Sequence, residues 1–176
     1  SCGPMLEQAQ ELIREKQLDN CQVVECSAHD LSLADESVDV VLSWDFLHHV
    51  ADLPRALAEI DRVLKPGGRF VAMEPNVLNP SIFWYHLRRR WEWRLFTQNQ
   101  FRVPRMLRQK FDVQVSYDNT IISFLNDRTW PLWRAIDWTT SLAPLNRISF
   151  RYVLNCVKTT ESVCSVEPAS QSAGSI

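Results

Sequence analysis

The sequence has no clustered cysteines. None of its five cysteines forms a CxxC pair or a metal-binding spacing with the four histidines. The five are Cys2, Cys21, Cys26, Cys156 and Cys164. This arrangement gives no reason to predict a metal site. Isolated thiols in a chain of this size are typical of a reducing compartment, so we predict a cytoplasmic protein.

Long apolar runs are also missing. No stretch approaches the roughly 20 residues that a membrane-spanning helix requires, and no secretory signal is present. The chain has 176 residues and begins at Ser1. A chain of this length is long enough to build one domain with its own hydrophobic core.

Positive charge is scarce in the first half of the chain. Residues 1–87 contain 6 Lys/Arg against 14 Asp/Glu, whereas residues 88–176 contain 13 against 7. Basic residues interleaved with aromatics can bind nucleic acid, but the basic run is short and the net charge is −2. We therefore predict no nucleic-acid partner, and nothing indicates an obligate protein partner.

Residues 39–74 have the pattern of one complete crossover unit. A branched apolar run at 40–42 is typical of a buried strand. Apolar residues then recur at helical spacing over 53–64, and Pro66 with two following glycines ends that helix. Residues 69–73 resume an extended apolar run. A strand, helix and strand joined by short links predict a right-handed parallel crossover in an α/β fold, with the ligand at the carboxyl ends of the strands.

Residues 36–75, which read ESVDVVLSWDFLHHVADLPRALAEIDRVLKPGGRFVAMEP, carry a family resemblance. They resemble the class I S-adenosylmethionine-dependent methyltransferases, in particular the small-molecule branch that includes the quinone-biosynthesis methyltransferases. The acidic-Ser-x-Asp start, the His pair and RVLKPGG occur together in the family order. The resemblance extends back to about residue 4 and more loosely forward to residue 158.

The resemblance implies a Rossmann-like sheet that lacks its first two strands. It places a helix at 4–18 directly after the family's second strand, and it makes residues 22–26 the third strand. The Gly-rich cofactor loop and the ribose-binding acid would precede this region, so we interpret the chain as an N-terminally truncated methyltransferase. Strands 22–26 and 40–42 would then lose their central neighbours. We expect them to pair differently or to leave an open apolar flank, and we expect a marginally stable fragment.

The cofactor implied by the resemblance is S-adenosylmethionine. Ser27 stands where the family has an Asp that accepts from the adenine, and Ala28 and His29 follow it. A solvated loop with a helix cap is the alternative. Ser43 and Trp44 match positions under the methionine part. An aromatic face attracts a sulfonium, although Trp44 could equally pack against the next helix.

His48 and His49 are the candidate catalytic residues of the crossover unit. Methyl transfer from a sulfonium depends mainly on alignment and desolvation. A general base is needed only when the acceptor carries an acidic proton, and an imidazole suits that task. A packing or capping role is the alternative, and it is favoured for His49.

Residues 76–101 form an aromatic insert after the fifth strand of the family's sheet. Similar inserts in this branch cover the acceptor pocket, so Trp84, Trp91 and Trp93 are candidate substrate-binding residues. Spacing over 82–95 predicts an amphipathic helix with a basic face. A lid is favoured, and peripheral membrane contact through 82–96 is the alternative. Both readings favour a small, hydrophobic or lipid-linked acceptor.

The remainder of the chain completes one domain. We predict a helix over 102–110, a strand over 112–117, a second aromatic insert over 126–145 and an antiparallel strand over 148–157. The partial methyltransferase domain spans 1–158, with acceptor-site inserts within 77–147. Residues 159–176 are Ser-rich without apolar periodicity and are predicted to be a disordered tail.

The predicted function is methyl transfer from S-adenosylmethionine to that acceptor, incomplete in this fragment alone. The choice among O-, C- and N-methylation stays open. One alternative is a catalytically inactive methyltransferase-like binding protein, which the Ser27 replacement would suit. The other is a nicotinamide-dependent oxidoreductase, because both folds use crossover units; the His pair and RVLKPGG argue against it.

Overall fold

The computed structural model describes residues 3–88, 93–118 and 145–160. Within these ranges the chain forms five α-helices and four β-strands. They are α1 (Gly3–Glu15), β1 (Val38–Trp44), α2 (Leu53–Val63), β2 (Leu64–Pro75), α3 (Pro80–Leu87), α4 (Arg94–Thr97), α5 (Arg102–Leu107), β3 (Phe111–Asp118) and β4 (Arg151–Lys158). Two 3₁₀ turns lie at Leu47–His49 and Leu145–Ile148.

The four strands form one sheet in the order β1-β2-β4-β3. β1 and β2 are parallel, whereas β4 pairs antiparallel with both β2 and β3. The helix α2 connects the two parallel strands, so the predicted crossover unit is confirmed. The final antiparallel strand is confirmed as well, with bounds of Arg151–Lys158.

The hydrophobic core lies on one face of the sheet. Paired residues on neighbouring strands point to the same face, and the rows Phe70–Cys156–Val113 and Ala72–Leu154–Val115 run across β2, β4 and β3. Helices α2 and α5 cover this face with apolar side chains. Those side chains are Leu53, Leu57, Ile60, Val103 and Leu107. The core therefore packs against β2 at Leu64, Phe70 and Ala72.

The opposite face and the outer edge of β1 are open in the described part of the chain. Val40 is 50% exposed and Leu42 is 75% exposed, and β1 pairs only with β2. Complete burial of this strand, which its branched apolar run predicted, is therefore wrong. The expectation of an open apolar flank agrees with this edge.

The predicted strand over residues 22–26 is absent, since these residues have no regular secondary structure. The predicted continuous helix over 82–95 is also wrong, because α3 ends at Leu87 and α4 begins at Arg94. Trp91, most of the second aromatic insert and residues 161–176 of the predicted tail lie outside the described residues. α1 is present as predicted, with its apolar stripe unburied.

The Lys-Pro-Gly-Gly segment bulges from the start of β2. Its four residues lie between two bridge pairs, Val38 with Leu64 and Val40 with Arg69. Gly67 has a φ of 76°, which favours glycine. A Cβ on Gly68 would lie 2.8 Å from the Lys65 carbonyl oxygen. Both glycines are therefore needed to close the link between helix and strand.

No helix in the described ranges has the length and apolarity to cross a membrane.

Candidate functional site

The carboxyl ends of β1 and β2 carry polar side chains at one edge of the sheet. β1 ends at Trp44, and Asp45 then adopts a left-handed φ of 46° that turns the chain into the 3₁₀ turn Leu47–His49. Aspartate tolerates this backbone region better than most residues do. On the neighbouring strand, Glu74 is the penultimate residue of β2. The turn therefore starts directly beside the end of β2.

The carboxylate of Glu74 holds this turn in place. Glu74 is fully buried, and its Oε1 accepts hydrogen bonds from the backbone N–H groups of Phe46 at 2.9 Å and Leu47 at 2.8 Å. Its Oε2 lies 3.4 Å from the backbone N of His48 and 2.6 Å from His48 Nδ1. A buried carboxylate requires such partners, and here all four come from one short segment.

The imidazole of His48 is at the centre of the site. The residue is 4% exposed, and its ring centroid lies 3.9 Å from that of His49 and 6.3 Å from that of His86 on α3. His49 is exposed. The structure thus brings both predicted catalytic histidines to the carboxyl edge, with only His48 bonded to the buried carboxylate.

Tyr152 lies opposite Glu74 on β4, with Tyr117 opposite it in turn on β3. Burial, then the charge of Glu74 and the proximity of Tyr117, raise the pKa of Tyr152 well above its usual value. The phenol therefore stays protonated. Its hydroxyl is sealed from solvent and has no hydrogen-bond partner in the described part of the chain.

Ser43 and Trp44 point to opposite faces of β1. Ser43 pairs with Ala72 on the core face, and its Oγ is sealed without a hydrogen-bond partner among the described residues. Trp44 is exposed on the other face, where the Arg151 guanidinium lies 5.2 Å from the ring centroid. Arg151 also pairs with Asp45. A cation of the protein thus already occupies one face of Trp44.

The three predicted cofactor residues 27–29 form a tight turn near this edge. Ser27 Oγ accepts from the backbone N of His29 at 3.2 Å, and the two ends of the turn bridge through Ser27 and Asp30. Arg55 Nε donates to the His29 carbonyl oxygen at 3.1 Å. Since Arg55 belongs to the first turn of α2, the turn lies beside the sheet edge where β1 ends.

The helices α3 and α4 carry aromatic side chains, and both approach the 3₁₀ turn, α3 through His86. Trp84 is 60% exposed and Trp93 is 56% exposed, and edge-on ring contacts connect Phe83 to Trp84 and to Phe96. α4 packs against the Leu47–His49 turn. Just beyond α4, Gln98 Nε2 donates to the Val50 carbonyl oxygen at 3.0 Å. The predicted substrate residues Trp84 and Trp93 therefore belong to a segment that contacts the histidine turn.

Sequence reasoning missed two parts of this site. Glu74 directly follows the apolar run at 70–73, and an isolated acid at the carboxyl end of a buried strand is a signal that could have revealed it. Gln98 offered no comparable pattern. Its Oε1 is buried without a partner, as are both amide atoms of Gln100, within the ranges that the structure describes. No group of three or more potential metal ligands occurs in those ranges.

Relatives of known sequence match parts of the chain. A family model described as "Methyltransferase domain" matches residues 2–72. The uncharacterized methyltransferase YcgJ of Bacillus subtilis is 31% identical over 134 residues, which cover 66% of this chain and 51% of the relative. The ubiquinone/menaquinone biosynthesis C-methyltransferase UbiE of Brucella anthropi is 41% identical over 73 residues, covering 41% of this chain and 28% of the relative. The chain thus spans about half or less of these relatives.

Solved structures share the fold. A SAM-dependent methyltransferase from Aquifex aeolicus superposes with a TM-score of 0.59 at 13% identity, covering 88% of this chain and 64% of that one. The YcgJ structure from Bacillus subtilis gives a TM-score of 0.58 at 18% identity, covering 89% and 79%. At this level of identity the likeness concerns the fold alone.

The parallel crossover, the matched family model and the named relatives agree with the resemblance that residues 36–75 indicated. Residues 2–72 are therefore similar to a methyltransferase domain, and the chain shares the fold of solved SAM-dependent methyltransferases.

Proposed function

We propose that the protein transfers a methyl group from S-adenosylmethionine to a small, hydrophobic or lipid-linked acceptor. The reaction takes place at the carboxyl edge of β1 and β2. The single observation that carries this proposal is the position of the aromatic segment, whose His86 ring lies 6.3 Å from His48 while its Trp84 remains 60% exposed. An apolar acceptor can contact this aromatic surface and reach the histidine turn from it.

The residues at the edge fit the cofactor. The sealed and unpartnered Oγ of Ser43 provides a polar atom for the methionine part, and the exposed Ser27 provides a hydroxyl for the adenosyl part. Ala28 and His29 complete the turn beside it. S-adenosylmethionine supplies an electrophilic methyl group on sulfur. The protein residues bind, orient the acceptor and exclude water.

Trp44 can contact the cofactor with one face of its ring. Because Arg151 covers one face of its ring, only the other face is left to contact a sulfonium. His49 is proposed to line the acceptor side of the turn, since it is exposed and its ring lies against that of His48. Trp93 and Trp84 form the acceptor surface, and Trp91 is kept as a proposal from the sequence alone.

Calorimetric titration with S-adenosylmethionine and with NADH tests the proposal directly. We expect heat of binding for S-adenosylmethionine and none for NADH, with weaker binding in Ser43→Ala. Ser37→Ala is the matched control, because Ser37 precedes the amino end of β1 and its Oγ donates to the Ala34 carbonyl oxygen. Preferential binding of NADH would support the oxidoreductase instead. Binding without turnover, in this chain and in any longer product of its reading frame, would support the inactive binding protein.

A membrane surface is the second candidate ligand of the aromatic segment. Exposed Trp84 and Trp93 lie on the same segment as the exposed Arg88 and Arg94, a combination that suits the bilayer interface. Co-sedimentation with phosphatidylserine vesicles at low salt should then depend on both tryptophans. Failure of the chain to co-sediment would restrict the segment to a lid over the acceptor.

A further inference from the structure

We infer that Glu74 is a positioning residue that makes His48 Nε2 a general base, and that the acceptor therefore carries an ionisable O–H group. The inference rests on the proposed function and narrows its acceptor class. It assigns distinct roles to the two nitrogens of one ring.

The contacts of Glu74 determine which ring nitrogen carries the proton. Its Oε1 accepts from two backbone N–H groups, and its Oε2 faces the backbone N of His48 and the Nδ1 atom of the same residue. A carboxylate surrounded by N–H donors acts as an acceptor toward its remaining neighbour. The 2.6 Å contact is therefore an Nδ1–H donated to Oε2. This tautomer leaves the lone pair on Nε2.

The second ring nitrogen belongs to a side chain that is 4% exposed, and it has no partner among the described residues. His48 Nε2 forms no hydrogen bond within the described part of the chain, yet it is not among the polar side-chain atoms that are sealed from solvent there. By contrast, Ser43 Oγ and Tyr152 Oη are both sealed and unpartnered. Nε2 thus presents an unused lone pair at the edge where the acceptor binds.

The chemistry follows from this arrangement. The acceptor oxygen gives its proton to Nε2 and forms a bond to the methyl carbon of S-adenosylmethionine as the carbon–sulfur bond breaks. The bonding pair of that bond remains on sulfur, which becomes the neutral thioether of S-adenosylhomocysteine. The imidazolium carries the proton beside the Glu74 carboxylate, whose charge stabilises it. An acceptor without such a proton would not need the base formed by His48 and Glu74.

A purely structural role for Glu74 is the competing explanation, because the same carboxylate holds the 46–48 backbone. Glu74→Gln separates the two roles. Its amide oxygen can still accept from the Phe46 and Leu47 N–H groups, whereas its NH₂ group would donate to Nδ1 of His48. The proton would then move to Nε2, so the turn would be kept and the base lost.

Nitrogen-15 NMR of the histidine ring tests the tautomer without any requirement for activity. We expect the Nδ1–H form of His48 in the unmodified protein and the Nε2–H form in Glu74→Gln. Glu59→Gln is the matched control, since Glu59 also accepts a backbone N–H, from Leu31 at 2.9 Å, and its hydrogen bonds in the described part of the chain do not involve His48. An Nε2–H form in the unmodified protein, or an unchanged tautomer in Glu74→Gln, would overturn the inference.

Turnover of two probes tests the base. 2-Naphthol must lose a proton when it is methylated, whereas N,N-dimethylaniline has none to lose. Removal of a general base typically lowers the rate by about 10²-fold or more. Glu74→Gln and His48→Gln should therefore lower kcat for 2-naphthol by this factor and lower kcat for dimethylaniline much less. Equal losses of kcat for both probes would contradict the role of His48 as a general base. Failure of the unmodified protein to bind S-adenosylmethionine would contradict the proposed function instead. The NMR measurement of the His48 tautomer would then be the test of the roles of Glu74 and His48.

Discussion

Arg62 and Glu59, one turn apart on α2, are joined by two hydrogen bonds of 3.0 and 2.9 Å. Together they hold the segment that leads into β1. Glu59 accepts from the Leu31 backbone N at 2.9 Å, and the Arg62 guanidinium donates to the carbonyl oxygens of Leu31 and Leu33 and to the Asp35 carboxylate. A planar fork with five donors suits this task, whereas an ammonium does not.

Replacement of Arg62 by lysine should loosen this segment. The ammonium of lysine cannot satisfy two carbonyls and two carboxylates at once, so we expect Tm to fall by about 2–4 °C. Hydrogen exchange should accelerate over residues 31–35. Arg69→Lys is the control, because Arg69 is exposed on β2. An unchanged Tm with unchanged exchange would show that the network does not contribute to stability.

Acid should weaken the fold through Glu59. The hydrogen bond from Arg62, then that from the Leu31 backbone, lowers the pKa of Glu59 from 4.5 to about 2. Because the folded pKa lies below the unfolded one, this contribution is complete above pH 4.5 and is lost as the pH falls toward 2. Urea midpoints should therefore fall less over this interval in Glu59→Gln than in the unmodified protein. Parallel pH curves for the two proteins would contradict the assignment.

The two glycines at the start of β2 should differ in their response to alanine. Gly67→Ala places a side chain at a φ of 76° with nothing within 4 Å, which costs about 1–2 kcal/mol of unfolding free energy. Gly68→Ala adds a Cβ 2.8 Å from the Lys65 carbonyl oxygen and 3.1 Å from that of Asp39. Backbone atoms cannot move aside easily, so we expect the larger loss for Gly68→Ala. Denaturant titration measures the unfolding free energy of both variants. A larger loss for Gly67→Ala than for Gly68→Ala would contradict the predicted clash.

Alkylation should distinguish the cysteines. Burial raises the pKa of Cys156 to about 12, whereas Cys21 and Cys26 are exposed. Since the thiolate is the reactive form, iodoacetamide at neutral pH should label the two exposed thiols rapidly and Cys156 only after unfolding. Peptide mass spectrometry resolves the three sites. Rapid labelling of Cys156 in the folded protein would mean that β4 opens on the time scale of the reaction.

The exposed tryptophans should affect the acceptor more than the cofactor. Trp84→Ala and Trp93→Ala remove apolar surface beside the histidine turn, and we expect KM for a hydrophobic acceptor to rise roughly 10-fold for each. The Kd for S-adenosylmethionine should change little. Met5→Ala, on the exposed stripe of α1, is the control for loss of an apolar surface residue. Equal weakening of both ligands would indicate that these tryptophans support the fold.

Local patterns predicted most of the elements. The helical spacing of Leu53, Leu57 and Ile60 and the apolar runs of β2, β3 and β4 are properties of short segments, and the structure has each of them. The strand at 22–26 was wrong because a strand requires a neighbour, and no described strand pairs with these residues. A branched apolar run alone cannot supply one.

The site was less predictable than the fold. The histidine pair stood out because two imidazoles follow a strand, but the partner of His48 lies 26 residues further along the chain. Only the parallel register of β1 and β2 brings Glu74 beside residues 46–48. The sequence contains no periodicity that links these positions. Long-range register is therefore the information that was missing.

The outer edge of β1 also governs how the protein behaves in concentrated solution. Within the described ranges no strand pairs with this edge, which lies next to the protruding Val40 and Leu42 side chains, and Asp39 there is already neutralised by its ion pair with Lys65. Such an edge can template the addition of further extended chains. Aggregation should therefore proceed by addition of strands to this edge. Turbidity would grow after a lag that shortens as the protein concentration rises, and Leu42→Lys would lengthen that lag.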